Sequence, residues 1–444
     1  MPQSKIIVFD ESASGVRATP GCLLLSRWDI ESLRFALLDD APLFFILTQT
    51  RSLDADATAN RVREAALALR RALAETGIAP LIISRGDCAL RGHHEVETRV
   101  LAEVLGPFDA QLIVPEMPDI SNMSGDSAAS CATQASTSSE IGHASASSLE
   151  ARVLRDTLYA SRYHFLADWL SEHGQKLDSG QLRPEDVRHI TLGDMRAEGS
   201  PLAALTGGAT AIVDTDSQID LARLARELQL STRGGRRFLL RAGAPLVAAF
   251  AHGSDTPHRT APAWHAGSEP GLIATGVLSS RSTRQIDALR AEPAIQRVEI
   301  AMRDLAHDAA AAERRALAEI NAARESGRSA VLVFAAATDE HAALVHGTLR
   351  NLAQRLSVPP GFLVLKGAAV AQHVLIDGLG VAIARVLGEI LPGATLARLP
   401  AGQTAMPGLP VVFVPDEAGD DRDLVNLHRL MTKPRDPQRR ALGA

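Results

Sequence analysis

Short, nearly continuous apolar runs recur along this chain, and amphipathic helical patterns separate them. The runs are Lys5–Phe9, Leu43–Leu47, Pro80–Ser84, Gln111–Pro115, Ala211–Asp214, Leu272–Thr275, Ala330–Phe334, Phe362–Leu365 and Pro410–Val414. Most lack strict polar alternation, so they read as strands buried on both faces, which requires helices on both sides of a sheet. One helix follows a cap at Asp54 or Asp56, lines Val62, Ala66, Leu69 and Leu73 on one face, and stops at Gly77. Another runs from about Arg303 to Ser326, with Leu305, Ala309, Ala312, Ala316, Ile320 and Ala323 on one side. The strand–helix alternation predicts an α/β fold with mainly parallel sheets flanked by helices.

The 444 residues suggest two or three domains. Residues 253–270 carry Pro257, Pro262 and Pro270 among Gly and Ser and read as a linker. That leaves an N-terminal domain over 1–252, a C-terminal domain over 271–432, and a polar tail over 433–444 that is expected to fray. Residues 119–148, rich in Ser, Ala and Thr, read as a long surface loop.

Composition narrows the function classes. Lys and Arg number 46 against 52 Asp and Glu, a net charge of −6, which argues against a nucleic-acid or membrane-surface partner. Aromatics are only 4%, so Ala, Leu, Val and Ile must build the core. The three cysteines, Cys22, Cys88 and Cys131, are odd in number and widely spaced, which fits a reducing compartment rather than a disulfide framework. With no long apolar stretch, the expectation is a cytoplasmic protein. The 14 histidines are scattered, so no metal site is expected from them. No P-loop, H-E-x-x-H or G-x-S-x-G motif occurs.

The remaining signal sits at strand ends. Asp10 and Glu11 follow the first strand, Arg51 follows the second, and the run Ser84 to His93 follows the third. In parallel sheets ligands bind beyond the carboxyl ends of strands. Arg51, Arg85 and Arg91 are suited to fork a carboxylate or phosphate, and Asp10 or Asp87 to act as general base on a hydroxyl. The plainer reading makes them loop caps and surface ion pairs. Cys88 stands between two of these arginines, cations that lower a thiol's pKa, although a buried small residue is the other reading.

Ser84-Arg85-Gly86-Asp87-Cys88-Ala89-Leu90-Arg91-Gly92 resembles the S-R-G-D-S-T-L-R-G motif of the four-carbon acid sugar kinase family, and the resemblance extends almost end to end. Glu97 and Arg51 fall on a family glutamate and arginine. Arg155-Asp156 through Arg162 to Asp168-Trp169 resembles a further motif, as does Arg237-Phe238-Leu239-Leu240-Arg241. In the C-terminal half Gly276, Thr283 and Gln285 fall on one motif, and Lys366-Gly367 with Gly378-Leu379-Gly380 on a second. Pro415 with Gly419-Asp420-Asp421 falls on a third. The resemblance implies an ATP-dependent kinase that phosphorylates a hydroxyl of erythronate, threonate or an oxo-tetronate in a cleft between the domains. It implies that the N-terminal domain holds the sugar acid through Glu11, Arg51, Arg85, Arg91 and Arg162, with Asp10 and Asp87 catalytic. The C-terminal domain would hold ATP, with Mg²⁺, at Gly276, Thr283, Lys366, Gly367, Gly419 and Asp420. The implied partner is a small-molecule sugar acid, with a homo-oligomer left open.

The departures are specific. Cys88-Ala89 replaces Ser-Thr, Val277 follows Gly276, Ala368-Ala369-Val370-Ala371 replaces Gly-Ile-Thr-Ser, and Asp416-Glu417 replaces Gly-Asn. The last puts acid where a triphosphate carries its own charge, unless a Mg²⁺ bridges them. Two other readings therefore stand beside the kinase: a catalytically inactive relative that binds a sugar acid or other anion as a sensor or partner subunit, and a paralogue kept for its fold.

Overall fold

The computed structural model describes residues 4–11, 19–50, 53–85, 93–115, 183–252, 269–401, 406–416 and 418–433. Residues 119–148, most of the expected linker and nearly all of the tail lie outside these. Among the described residues the strands are β1 (Ser4–Asp10), β2 (Leu23–Leu25), β3 (Leu43–Leu47), β4 (Ala79–Arg85), β5 (Ala110–Val114), β6 (Val187–Ile190), β7 (Ala209–Val213) and β8 (Phe238–Ala242). They continue with β9 (Leu272–Thr275), β10 (Ile295–Ala301), β11 (Ser329–Ala335), β12 (Leu363–Lys366), β13 (Ile383–Leu391), β14 (Ala394–Arg398) and β15 (Pro410–Val414). Each of the nine apolar runs named from sequence coincides with one of these strands to within two residues at either end.

The chain divides into two compact units. The first comprises Met1–Glu11, Leu33–Phe44 and Thr48–Thr256; the second comprises Ser12–Ser32, Phe45–Leu47 and Pro257–Ala444.

In the first unit the strand order is β1-β4-β8-β5-β7-β6, while β3 is divided between the units at Phe44 and Phe45. The ladders β1–β4, β4–β8, β8–β5, β5–β7 and β7–β6 are all parallel. The strands are buried as their apolar runs require: β3, β5 and β8 have no exposed residue. The helix Ala55–Thr76 forms for the reasons its sequence gave. Asp54 caps it by accepting from the Ala57 amide at 2.8 Å, Gly77 ends it, and Val62, Ala65, Ala66 and Leu69 face the core.

In the second unit the order is β10-β11-β9-β12-β15-β14-β13-β2. Strands β10, β11, β9, β12 and β15 run parallel, while β14, β13 and β2 add antiparallel pairs. Mainly parallel sheets flanked by helices are thus the observed class. The core packs Ile273, Val331, Phe362, Val364 and Val412 of the sheet against Ile286, Leu289, Leu424 and Met431 of the flanking helices.

The helix expected over 303–326 differs. It is two helices, Met302–His307 and Ala309–Glu325, broken at Asp308. Asp308 leaves helical backbone, at φ −148° and ψ 89°, and its carboxylate accepts from the Ala311 amide at 2.9 Å, so a mid-pattern aspartate acts as a new N-cap. The strands not named from sequence are largely those without a continuous apolar run. β10 and β13 are half-buried and alternate, and β2 is three residues long.

Candidate functional site

Parallel pairing brings the first unit's charged residues into a row at the strand carboxyl ends. The register sets Asp10 opposite Arg85, Arg85 opposite Ala242, and Ser84 opposite Arg241. Asp10 is fully buried, and its Oδ1 accepts from Arg85 Nη1 at 2.7 Å. The Asp10 carbonyl accepts from both the amide and the hydroxyl of Thr48, at 2.8 and 3.1 Å, which anchors the chain leaving β3 to the end of β1. Glu11 is buried beside it in sequence. Neither of a pair of opposite charges taken out of water is tolerated alone, so burial here fixes both side chains in one geometry.

A second buried ion pair lies along the same ends. Glu97, in the first turns of the helix His94–Leu105, accepts from Thr50 Oγ1 at 2.7 Å, from Ser84 Oγ at 2.9 Å and from Arg241 Nη1 at 3.0 Å. Arg241 Nη1 also donates to Ser84 Oγ at 2.7 Å. Both side chains of this pair are about 95% buried. Sequence reasoning placed Glu97 and Arg241 in motifs but gave neither a role at the site. The cue available was a charged residue inside the apolar run Phe238–Ala242, where only a partnered charge can sit.

Of the other first-unit candidates, Arg51, Asp87, Arg91 and Arg162 lie outside the described residues, as do Cys88 and Cys131. Cys22 is buried.

In the second unit the candidates again fall at strand carboxyl ends. Gly276 follows β9, Lys366 ends β12 and Gly367 follows it, and Asp416 and Gly419 follow β15. Lys366 is almost fully buried; its Nζ donates to the carbonyls of Pro415 at 2.7 Å and Asp416 at 3.0 Å, clamping the turn after β15 to the end of β12. Gly367 has φ 104°, and a Cβ there would lie 2.9 Å from both Asp416 carboxylate oxygens, so the acid side chain occupies the face that glycine leaves open. A Cβ on Gly276 would meet Val370 at 3.0 Å. Thr283 is exposed and bonds the Ser279 carbonyl one turn back in its own helix, Ser280–Leu289.

That helix and the turn 418–423 enclose an open concavity of about 520 Å³ lined by Arg281, Arg284, Gly419, Asp420, Asp421, Arg422 and Asn426. Buried Gln285 supports the turn by donating to the carbonyls of Ala418 at 3.1 Å and Asp420 at 2.8 Å. Arg281 donates to the Gly419 carbonyl at 2.8 Å, and Arg284 pairs with Asp421 at 2.9 Å. Gly419 and Asp420 were expected at this site; the three arginines were not, because Arg281 and Arg284 fall between the motif residues Gly276, Thr283 and Gln285, and Arg422 follows the motif that ends at Asp421. The volume is that of a typical small-ligand pocket, and guanidinium forks suit phosphate oxygens. Among the described residues no group of three or more His, Cys, Asp or Glu side chains is placed to hold a metal ion, and no helix is long and apolar enough to cross a membrane.

Comparison with known proteins agrees with this division of labour. Residues 18–250 match the model of a sugar-binding N-terminal domain, and residues 272–424 that of a nucleotide-binding C-terminal domain. A Haemophilus influenzae protein of the DUF1537 family is 15% identical with a TM-score of 0.62, covering 96% of this chain and 100% of its own. A Salmonella typhimurium LT2 protein carrying a provisional tRNA-synthase name is 14% identical with a TM-score of 0.59, covering 96% and 99%. At such identities these two show a shared fold and nothing about activity. The search of curated proteins gives no match. With two domain models in tandem over most of its length, the chain belongs to the four-carbon acid sugar kinase family.

Proposed function

We propose that this protein is a kinase that transfers the γ-phosphoryl group of ATP to a hydroxyl of a small four-carbon sugar acid such as erythronate or threonate. The observation that carries this is the Asp10–Arg85 ion pair at the carboxyl ends of β1 and β4, whose Arg85 lies in the region, residues 18–250, matched to a sugar-binding domain. In such a transfer the acceptor oxygen bonds to phosphorus, the bond to the bridging oxygen of ADP breaks, and the hydroxyl proton needs an acceptor. Asp10 is the carboxylate for that proton, and Arg85 fixes its orientation. Glu11, Arg51, Arg91 and Arg162 would complete the grip on the acid, and Asp87 would assist with the proton, as the family resemblance implies.

The donor set around the 520 Å³ concavity fits a polyphosphate: Arg281, Arg284 and Arg422 would hold it, with Gly419 and Asp420 in the lining turn, and Gly276, Thr283, Lys366 and Gly367 would complete the nucleotide site as the family resemblance implies. Mg²⁺ usually arrives with the phosphates and takes only one or two protein carboxylates, a role open to Asp420 or Asp421.

A second reading, a non-catalytic relative that keeps only anion binding, is favoured by one observation. The Asp416 carboxylate lies against Gly367, where the resemblance would put phosphate. Calorimetry with Mg-ATP and with erythronate and threonate, followed by detection of ADP in the mixture, separates the two. Sugar-acid binding with ADP release supports the kinase. Sugar-acid binding without any heat from millimolar Mg-ATP sinks it and leaves the second reading.

A further inference from the structure

Arg241 is only 3% exposed, and its two terminal nitrogens are used unequally. Nη1 donates to Ser84 Oγ and Glu97 Oε2. Nη2 has no hydrogen-bond partner and is closed off from solvent. A buried charged donor left unmatched is costly, and native structures keep few of them without a use. A lysine would supply the contacts that Nη1 makes, so what arginine adds at this position is the second nitrogen.

Neighbouring groups leave it for something else. Glu97 Oε1 is taken by Thr50, and Glu97 Oε2 by Ser84 and Arg241 Nη1. The register puts Arg241 opposite Ser84, one residue short of the level at which Arg85 faces Asp10, so Arg241 stands at the same strand ends. Charge then selects the partner. Glu97 already balances Arg241, so a further buried anion against Nη2 would stand uncompensated, whereas a neutral oxygen would not.

We propose that Arg241 is a substrate-binding residue whose Nη2 donates to an uncharged oxygen, a hydroxyl or carbonyl, of the polyhydroxy acid. This rests on the sugar-acid reading above and extends it, separating the residue that reads the hydroxyl pattern from the arginines that take the carboxylate.

The test is a binding cycle with threonate or erythronate, both trihydroxybutanoates, and the three dihydroxybutanoates that each lack one hydroxyl. Titrations compare the native protein with Arg241→Lys, which keeps the charge opposite Glu97 and loses Nη2. The expected result is a roughly tenfold or greater loss of trihydroxybutanoate affinity in Arg241→Lys, the scale of one charged hydrogen bond. One dihydroxybutanoate should be weakened by a similar factor in the native protein and bind native and variant alike. A merely structural arginine would not produce that selective pattern. Unchanged affinity in Arg241→Lys, or equal losses for all four acids, overturns the proposal while the sugar-acid reading stands. If the native protein binds none of the acids, both fall. Should Arg241→Lys fail to fold, the paired change Glu97→Gln with Arg241→Met removes both charges together and is held to the same outcomes.

Discussion

Both units place charged side chains at the carboxyl ends of parallel strands, yet they treat those charges in opposite ways. In the first unit Asp10–Arg85 and Glu97–Arg241 are buried pairs, neutralised within the protein and held to one geometry. In the second unit the concavity is lined by Arg281, Arg284 and Arg422, all exposed to water; Lys366, at the end of β12, is buried, and two backbone carbonyls hold it. A buried pair is ordered before any ligand arrives, but it makes the fold depend on the site. Exposed charges cost the fold little to keep and are free to turn toward a polyphosphate. The difference suits a domain that must read the hydroxyls of a small acid and another that must grip a highly charged tail.

The sharpest way to break this comparison is Glu97→Ala. It strands the Arg241 charge in the interior and removes the acceptor of Thr50 and Ser84. Loss of one member of a buried pair costs about 3–5 kcal/mol, and denaturant unfolding should show it. A loss below about 1 kcal/mol would mean the first-unit charges are no more structural than surface ones.

The next largest effect is expected at Gly367→Ala. With φ 104° and the Asp416 carboxylate 2.9 Å from the added carbon, the substitution brings backbone strain and a contact that must shift. About 1–3 kcal/mol is expected for a non-glycine residue held in such a conformation. Pairing it with Asp416→Ala should recover part of the loss in melting temperature; no recovery would show that the carboxylate is not what fills that face.

These two sites also mark what could be read from the chain. Strand ends were legible because continuous apolar runs such as Leu43–Leu47 stop abruptly at polar residues, so Asp10 and Arg85 could be placed on one rim from the sequence, whereas Lys366 was marked only by its motif. The parallel register that sets Asp10 opposite Arg85 was not legible, since pairing depends on which strands become neighbours. Nor was the role of Glu97, thirteen residues from Ser84 and 144 from Arg241, because a glutamate in a first helical turn looks like a dipole partner until its burial is seen. The half-exposed strands β10 and β13 escaped for a related reason: their faces differ, and a search for unbroken apolar runs passes over them.

A smaller effect should appear with pH, in the second unit. His428 is buried against Phe362 and bonds Ser329 Oγ at 2.9 Å. Burial pushes its pKa below the ordinary histidine value, with Glu292 opposing and Arg429 adding to the shift. The folded state therefore holds the imidazole neutral, while the unfolded chain takes up a proton near pH 6.5. Stability from this group is fully present above that value and is lost as pH falls through it toward the lower folded pKa. The denaturation midpoint should drop between about pH 7 and about pH 5, more steeply than in His428→Gln, which cannot titrate. Equal slopes would remove His428 from the account.

The smallest effect on stability, and the one that sharpens the comparison most, is expected at Arg284→Ala. Its partner Asp421 is as exposed as it is, with both side chains more than half accessible. Such a pair is screened by water and contributes roughly 0.2–1 kcal/mol at most, so the melting temperature should hardly move. If the concavity grips a polyphosphate, the same substitution should still weaken Mg-ATP binding and flatten its salt dependence, because one fewer cation meets the phosphates. A variant that melts like the native protein yet binds ATP less tightly would separate function from folding in the second unit, as Glu97→Ala cannot in the first. If Arg284→Ala instead destabilises the protein as much as Glu97→Ala, the two rims obey the same electrostatics. The contrast drawn from their exposure then has no consequence for the fold.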